Sequence, residues 1–256
     1  MPRLKDPRAD AALERDGYAV LDGFLDPSEI AHLMDVFRSH DSPTHRAPFS
    51  ASVLSDDVGY RAAVDREIKA VLRDKVDVVF DGYRHCFSNF VVKAPGRTEG
   101  EVPVHQDITF VDETRHLSLG IFAPLISTNP DNGCLFVAPG SHRLNGGPRG
   151  VGTRHPYDGV KLPLKPVPMK AGSVMVFSQK LFHASRPNRS KVTRVVVGGL
   201  FVPREAQLYC YYHASPEQLE VYEVDDLFYT RYIYRTRPEG VPRVGVVDYW
   251  YERIAG

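Results

Sequence analysis

The stretch from Val76 to Val202 constrains the fold most, because short β-rich runs alternate there with turns rich in Pro, Gly and Asn. Runs of this length, bounded by turn residues, are typical of a β-sandwich or barrel. The strand–helix alternation of a parallel α/β sheet is missing, so we expect two packed sheets with helices over one outer face. The predicted strands cover residues 83–93, 104–111, 117–124, 134–138, 165–168, 173–177 and 193–202.

Helical patterns precede this β-rich stretch. Residues 9–16 predict a short helix, and residues 17–24 predict a strand that ends in a turn. Asp26 and Pro27 then have the chemistry of an N-cap and a first helical position. The helix that they begin has one apolar face, formed by Ile30, Leu33, Met34 and Phe37. A further helix is predicted over residues 58–74. Its buried face consists of Val64, Ile68, Val71 and Leu72.

Composition and charge argue against several classes of protein. The chain has 256 residues, and its 32 Lys and Arg balance its 32 Asp and Glu. This balance gives no long-range field that would attract nucleic acid or an anionic membrane, so we expect neither partner. The three cysteines are scattered without a metal-binding or disulfide spacing, which favours a reducing compartment. The N-terminus lacks the apolar run of a signal peptide and no stretch has the length of a membrane span, so we expect a cytoplasmic protein.

His105 and Asp107 form the first motif that indicates chemistry. They stand two positions apart in a predicted strand, so their side chains share one face. A second histidine on a neighbouring strand would complete two nitrogens and one oxygen on one side of a metal, as in non-haem Fe(II) oxygenases. Taken alone the motif arises easily by chance, and the alternative is a histidine hydrogen-bonded to a nearby aspartate.

The segment from Gly172 to Arg194 contains both a second histidine and an arginine. A turn, an apolar strand, His183, a polar turn and a strand that opens with Arg194 follow one another. A guanidinium suits the distal carboxylate of 2-oxoglutarate, because its planar fork makes bidentate hydrogen bonds and keeps its charge. Ser185 adds a hydroxyl donor for the same carboxylate. The alternatives are a core or turn histidine and a surface or ion-paired arginine.

These landmarks resemble the phytanoyl-CoA dioxygenase family, in family order over about residues 15–202. The matching blocks are residues 17–24, residues 105–107, residues 132–143, and His183-Ala184-Ser185 with Asn188 and Arg194. The most specific of them is the block that begins with Asn132-Gly133 and ends with Pro139-Gly140-Ser141-His142.

The resemblance implies a mainly β protein with flanking helices and a double-stranded β-helix (jelly-roll) core. We expect a single domain over residues 1–256, with a helix-rich part to about residue 75, the core over 76–202 and an aromatic-rich extension over 203–256. The implied cofactors are Fe(II), 2-oxoglutarate and O₂. The implied metal ligands are His105, Asp107 and His183. The implied co-substrate residues are Arg194, Ser185 and Asn89.

Four other histidines are not expected to bind the metal. His142 lies in the family's Pro-Gly-Ser-His block, which forms a structural turn near the site mouth. The other three are His116, His155 and His213.

The resemblance further implies oxidation of a small molecule, coupled to conversion of 2-oxoglutarate to succinate and CO₂. We expect hydroxylation of an unactivated C–H bond in specialised metabolism, while desaturation, cyclisation and epimerisation stay open. Halogenation is disfavoured, because related iron halogenases have a small residue where this chain has Asp107. Two other functional classes compete with an oxygenase. One is a non-catalytic jelly-roll binding protein, and the other is a cupin-type metal enzyme, although cupin sites usually cluster more histidines. An acyl thioester is one candidate substrate.

Contacts with the substrate are predicted from position alone. Thr109 or Phe110 should face the pocket, and Arg149 and Arg154 of the Gly-rich loop at 144–157 are candidates for an anionic substrate. The loop either covers the site or is a surface excursion. The tyrosine-rich tail packs on the core, forms a homodimer contact, or closes the pocket with a short helix at 225–232.

Overall fold

The computed structural model describes residues 2–40, 47–144, 147–151 and 161–249. Its helices are α1 (Pro7–Asp16), α2 (Pro27–Ser39), α3 (Val58–Val79) and α4 (Phe228–Arg231). The strands are β1 (Tyr18–Leu21), β2 (Phe49–Ala51), β3 (Tyr83–Lys93), β4 (Val102–His105), β5 (Leu119–Pro124), β6 (Leu135–Val137), β7 (Lys165–Val167), β8 (Val174–Ser178), β9 (His183–Ser185), β10 (Arg194–Pro203), β11 (Leu208–Ser215), β12 (Gln218–Val224) and β13 (Arg243–Asp248).

Two antiparallel sheets form the core. The larger has the order β1-β8-β5-β10-β3-β2, and the smaller has the order β4-β9-β6-β7. Non-consecutive strands pair in both sheets, as expected when a chain winds back and forth between two layers. The predicted fold class, mainly β with flanking helices and a jelly-roll core, is confirmed.

The larger sheet separates a helical layer from the interior between the sheets. Along β8, Val174 and Val176 are buried in the cluster that contains the helices, whereas Met175 and Phe177 belong to the cluster shared with β6 and β7. This alternation follows from the pleat of a strand, which points successive side chains to opposite faces. Both faces of the strand are therefore covered, which explains why it reads as a continuous apolar run.

The N-terminal helices begin and end close to the predicted positions. Asp26 caps α2 in a capping box with Glu29, because its carboxylate accepts from the Glu29 amide at 2.9 Å. Helix α1 ends at Gly17, whose φ of 84° lies in the left-handed region. A Cβ at Gly17 would lie 2.5 Å from Nδ1 of His142, so the end of α1 packs directly against the Pro-Gly-Ser-His block.

The prediction of one strand over residues 104–111 is wrong beyond His105. The backbone leaves the sheet there, and its amides bond to loops instead: Asp107 N–H donates to the Gln179 carbonyl at 3.1 Å, and Thr109 N–H donates to the Arg149 carbonyl at 2.9 Å. Residues 183–185, which lay outside the predicted strands, form β9 between β4 and β6.

The C-terminal extension has a sheet of its own, which the sequence did not predict. Strands β11, β12 and β13 pair in that order, and α4 follows β12. The carboxylate of Glu220 accepts from Arg237 and Arg243 at 2.5 and 2.8 Å and holds the two segments after β12 to the sheet. Among the described residues, no helix combines the length and apolar character needed to cross a membrane. The three cysteines are buried and free.

Two valines of α3 test how much stability the helical layer contributes. Val64 is fully buried against the sheet, whereas Val78 of the same helix is 71% exposed. Val64→Ala should lower the free energy of unfolding by about 2 kcal/mol, because it removes buried methyl groups and leaves a cavity. The matched control Val78→Ala should change it by less than about 0.5 kcal/mol. Denaturant titration measures both, and equal effects would contradict this account of the packing.

Candidate active site

Two histidines meet where β4 ends and β9 begins. His105 and His183 are directly paired in the antiparallel register of these strands, and their ring centroids lie 4.2 Å apart. Asp107 completes the group: its Oδ1 lies 3.7 Å from Nε2 of His105 and 4.0 Å from Nε2 of His183. The three ligand atoms lie within 4.8 Å of one another, close enough to share one metal ion.

Backbone carbonyls orient both imidazole rings. Nδ1 of His105 bonds to the Pro103 carbonyl at 2.8 Å, and Nδ1 of His183 bonds to the Leu181 carbonyl at 2.9 Å. A carbonyl only accepts, so each Nδ1 carries the proton and each Nε2 presents a lone pair. Both lone pairs are therefore available on the side of Asp107, as metal-binding histidines require.

The electrostatics of the group favour its metal-binding protonation state. Burial lowers the pKa of His183 to about 4, so its ring is neutral at neutral pH. Burial opposes ionisation of Asp107, but the neighbouring His183 and His105 outweigh this effect and lower the pKa of that carboxyl. His183 and Asp107 are therefore in the states that coordinate a cation. Burial opposes protonation of His105, but the hydrogen bond and the charge of Asp107 raise the pKa of that ring, so a metal would compete with a proton there.

A buried arginine holds the backbone of Asp107 in place. Nε of Arg149 donates to the Asp107 carbonyl at 2.6 Å, and its two terminal nitrogens donate to Glu113 at 2.7 and 2.5 Å. The side chain of Arg149 is 3% exposed, so this ion pair is shielded from water. The interpretation of Arg149 as a contact for an anionic substrate is corrected, because its guanidinium is already paired with a carboxylate.

The site opens into a cavity of about 270 Å³ between the two sheets. Phe110 lines this cavity and Thr109 does not, which decides between the two residues after the His-Asp motif. The hydroxyl of Thr109 accepts from the Arg149 amide at 2.9 Å and so has a structural role. Besides the three metal-ligand candidates, the polar groups of the lining belong to Asn89, Gln179, Ser185 and Arg194 and to Tyr229, Tyr232 and Tyr234.

Arg194 reaches the cavity with part of its hydrogen-bonding capacity unused. It opens β10 and is 1% exposed. Its Nη1 donates to the Gly133 carbonyl at 2.7 Å, and its guanidinium carbon lies 5.6 Å from the centre of the Phe122 ring. Within the described part of the chain, Nε and Nη2 have no partner. Burial lowers the pKa of Arg194 to about 9, which leaves it protonated at neutral pH. A buried guanidinium with unpaired donors is a strong anion site.

Ser185 and Asn89 also line the cavity, as expected for co-substrate residues. Ser185 stands two positions after His183 on β9, so the two side chains share a face. Asn89 pairs with Gly198 in the register of β3 and β10, and a Cβ at Gly198 would lie 2.8 Å from Oδ1 of Asn89. That oxygen has no partner among the described residues, so it is available to a ligand.

The Asn-Gly and Pro-Gly-Ser-His blocks support the site without entering it. The carbonyl of Gly133 anchors Arg194, and the hydroxyl of Ser141 accepts from the Phe182 amide at 3.0 Å, just before His183. His142 bonds to the Glu14 carbonyl at 3.1 Å, in keeping with its exclusion as a ligand. His116 and His213 lie outside the metal-ligand group as well. Arg154, His155 and residues 250–256 lie outside the described residues.

Four further polar residues of the lining were not predicted as site residues. Gln179 accepts the Asp107 amide through its carbonyl and lines the cavity with its side chain. Tyr229, Tyr232 and Tyr234 reach the cavity from the C-terminal extension. The tyrosine-rich tail was visible in the sequence, but the subset that faces the cavity depends on how the chain turns after β12.

Curated proteins with similar sequences carry related names. A phytanoyl-CoA dioxygenase domain-containing protein 1 homolog of Caenorhabditis briggsae is 24% identical over 249 residues, which span 71% of this chain and 85% of that protein. The phytanoyl-CoA dioxygenase domain-containing protein 1 of Danio rerio is 34% identical over 124 residues, or 43% of this chain and 41% of that protein.

Crystal structures with a similar fold include an enzyme of nogalamycin biosynthesis. The non-heme alpha ketoglutarate dependent epimerase SnoN, from nogalamycin biosynthesis, superposes with a TM-score of 0.56 at 22% identity, covering 78% of this chain and 84% of that chain. AviO1 from Streptomyces viridochromogenes Tue57 superposes with a TM-score of 0.57 at 23% identity, covering 80% and 98%. At 22–23% identity, these similarities show a shared fold alone.

The sequence profile of the phytanoyl-CoA dioxygenase family matches residues 13–196. This match spans most of the chain and includes the three clustered ligands, Asn89, Ser185 and Arg194. The chain therefore belongs to the phytanoyl-CoA dioxygenase family.

Proposed function

We propose that this chain is an Fe(II)- and 2-oxoglutarate-dependent oxygenase that hydroxylates an unactivated C–H bond of a small molecule. One observation supports this proposal above the others: the triad of His105, Asp107 and His183 faces the same cavity as a buried arginine with unpaired donors. A binding protein without turnover has no need for both features.

The residues present fit the cofactors. Two imidazole nitrogens and one carboxylate oxygen are the facial donor set of non-haem Fe(II), which leaves positions for other ligands. The two unpaired donors of Arg194 fit the distal carboxylate of 2-oxoglutarate, with Ser185 on the same wall. Bound there, Fe(II) and 2-oxoglutarate supply O₂ activation coupled to oxidative decarboxylation, which yields succinate and CO₂.

The protein itself contributes position, charge and exclusion of water. The carbonyls of Pro103 and Leu181 fix both rings, and Arg149 fixes the backbone of Asp107. The apolar walls of the cavity keep water from competing with the substrate at the reacting carbon. Because the carboxylate of Asp107 occupies the position that a halide would need, we propose oxygen transfer over halogenation.

Epimerisation and cyclisation stay as alternatives within the same proposal. Structures of similar fold include the epimerase SnoN and the carbocyclase SnoK. These outcomes differ from hydroxylation after hydrogen abstraction, and product mass separates them. Hydroxylation adds one oxygen atom, cyclisation removes two hydrogens, and epimerisation leaves the mass unchanged.

Removal of either of two ligands tests the metal site. His183→Ala and Asp107→Ala should each abolish Fe(II) binding and succinate formation, because two protein ligands hold the ion too weakly. Anaerobic titration with Fe(II) should give one ion per chain for the wild type. His32→Ala and Asp35→Ala, on the exposed face of α2, are matched controls and should bind as the wild type does. Full binding by both ligand variants would refute the assignment.

A pair of 2-oxo acids tests the role of Arg194. 2-Oxovalerate has the same 2-oxo acid group as 2-oxoglutarate but lacks the distal carboxylate. Arg194→Ala should raise the Kd of 2-oxoglutarate by about 10- to 100-fold, because hydrogen bonds between charged groups contribute about 1.5–3 kcal/mol. The Kd of 2-oxovalerate should stay unchanged. Calorimetry measures both, with exposed Arg189→Ala as the control. A loss of equal size for both acids would mean that Arg194 does not bind the distal carboxylate.

The buried pair of Arg149 and Glu113 is proposed to position Asp107. Arg149→Lys and Glu113→Gln should each weaken Fe(II) binding by about 10-fold or more, since residues that orient metal ligands have effects of this size. The double variant should lose no more Fe(II) affinity than the single variant with the larger loss, because both substitutions act through one contact. Arg204→Lys, in the exposed pair with Asp77, is the control. Additive losses, or unchanged affinity with reduced stability alone, would contradict a positioning role.

A further inference from the structure

We infer that the C-terminal extension selects an uncharged, ring-bearing substrate, and that the hydroxyl of Tyr234 binds its polar group. This inference rests on the proposed function and specifies the substrate class of the same site. The extension lies after residue 196, outside the part of the chain that the family profile matches. Its contribution to the cavity is therefore additional to the part of the site that the profile covers.

Of the three tyrosines that line the cavity, two already have partners. The hydroxyl of Tyr229 donates to the Tyr209 carbonyl at 2.7 Å, and that of Tyr232 donates to the Thr236 carbonyl. The rings of Tyr229 and Tyr232 form part of the cavity wall, and their hydroxyls link segments of the C-terminal extension. The hydroxyl of Tyr234 has no hydrogen-bond partner in the described ranges, although the residue is half-buried in the lining. This hydroxyl is not among the fully buried atoms, so it is accessible and can donate to a ligand in the cavity.

The backbone next to Tyr234 is held in an uncommon conformation. Arg235 has a φ of 71°, the one positive value found for a residue other than glycine among those described. Such a conformation costs free energy and persists only where the surroundings impose it. The guanidinium of Arg235 lies 5.9 Å from the centre of the Tyr234 ring, on the exposed side. The turn therefore directs the tyrosine inward and the arginine outward.

Tyr234 also lies within the electrostatic range of the metal-ligand group. Burial raises its pKa, and the charge of Asp107 raises it further. The phenol thus stays protonated and can donate a hydrogen bond. Tyr234 and the triad line one cavity, so a group held by Tyr234 would share that cavity with the metal-ligand group.

The rest of the wall fits a ring. Phe87, Phe110 and Tyr229 contact one another, with ring centroids 5.9 Å apart for Phe87 and Phe110 and 5.0 Å apart, edge to face, for Phe110 and Tyr229. These rings come from β3, from the segment after the His-Asp motif and from α4, so three distant parts of the chain build one aromatic surface. Flat or puckered rings pack well on such a surface.

The charges of the cavity disfavour an ionic substrate. Among the lining residues in the described part of the chain, Arg194 is the only lysine or arginine, and its proposed ligand is 2-oxoglutarate. Arg149, which contacts Asp107, is paired with Glu113, and Arg235 next to Tyr234 is exposed outside the lining. An anion would therefore be buried without a partner, and a cation would find Asp107 already committed to the metal.

Binding of two matched probes tests the inference. Calorimetry would be carried out anaerobically on protein loaded with Fe(II) and 2-oxoglutarate, and repeated on metal-free Arg194→Ala protein, in which the cavity has no unpaired guanidinium left to bind an anionic probe. The probes are 2-naphthol, which is neutral at neutral pH, and 2-naphthoate, which has the same rings and a charge. We expect 2-naphthol to bind more tightly. Equal or tighter binding of 2-naphthoate, or no binding of 2-naphthol, would overturn the substrate class.

A single hydroxyl tests the role of Tyr234. Tyr234→Phe should weaken 2-naphthol binding by about 2- to 10-fold, the effect of losing one hydrogen bond, and should leave the Kd of 2-oxoglutarate unchanged. Tyr212→Phe, a half-buried tyrosine of β11 outside the lining, is the matched control and should bind both as the wild type does. Equal affinities of the two variants for 2-naphthol would overturn the role of Tyr234. Absence of Fe(II) and 2-oxoglutarate binding would instead refute the proposed function, while the metal-free titrations still decide this inference.

Discussion

The site depends on the register between β4 and β9. Because His105 pairs directly with His183, both rings emerge at the same level and on the same side of the smaller sheet. A slip by one residue would turn one of the rings to the opposite face and separate the two ligands. Each histidine also bonds through Nδ1 to the carbonyl two residues before it, that of Pro103 for His105 and that of Leu181 for His183. Asp107 needs no strand to reach the same point, because Gln179 and Arg149 hold its backbone.

Two buried basic side chains on neighbouring strands, Lys93 and Arg194, differ in how many of their hydrogen-bond donors are paired. Lys93 and Arg194 are partners in the register of β3 and β10, and both are almost fully buried. Nζ of Lys93 donates to three carbonyls, at 2.6, 3.1 and 2.7 Å, so its hydrogen-bonding capacity is used within the protein. Arg194, next to it, keeps two nitrogens without a partner among the described residues. Lys93 is thus satisfied within the protein, whereas Arg194 keeps two donors that face the cavity and can bind a ligand.

The sequence predicted the site residues better than it predicted their surroundings. Periodicity located the helices and the long strands, because burial on one or both faces leaves a direct pattern in the residues. The argument that strand alternation joins His105 and Asp107 was wrong in its detail, since the strand ends at His105. The ion pair that holds Asp107 joins residues 36 positions apart, and neither member has a local signal. Contacts of this kind depend on loop paths, which propensity and spacing do not encode.

The wall formed by the extension is fixed to the N-terminal layer, so it acts as a rigid part of the cavity. Arg61 of α3 is 3% exposed, and its guanidinium donates to the carbonyls of Arg231 and Tyr232, at 2.9 Å for Arg231. These carbonyls end α4, directly before the turn that carries Tyr234. Helix α3 also packs on β3, which contributes Asn89 and Phe87 to the cavity. One helix therefore holds both the sheet beside the triad and the tyrosines opposite it. A cavity held from both sides is pre-organised for one shape, which favours selectivity through fit over closure of a mobile lid.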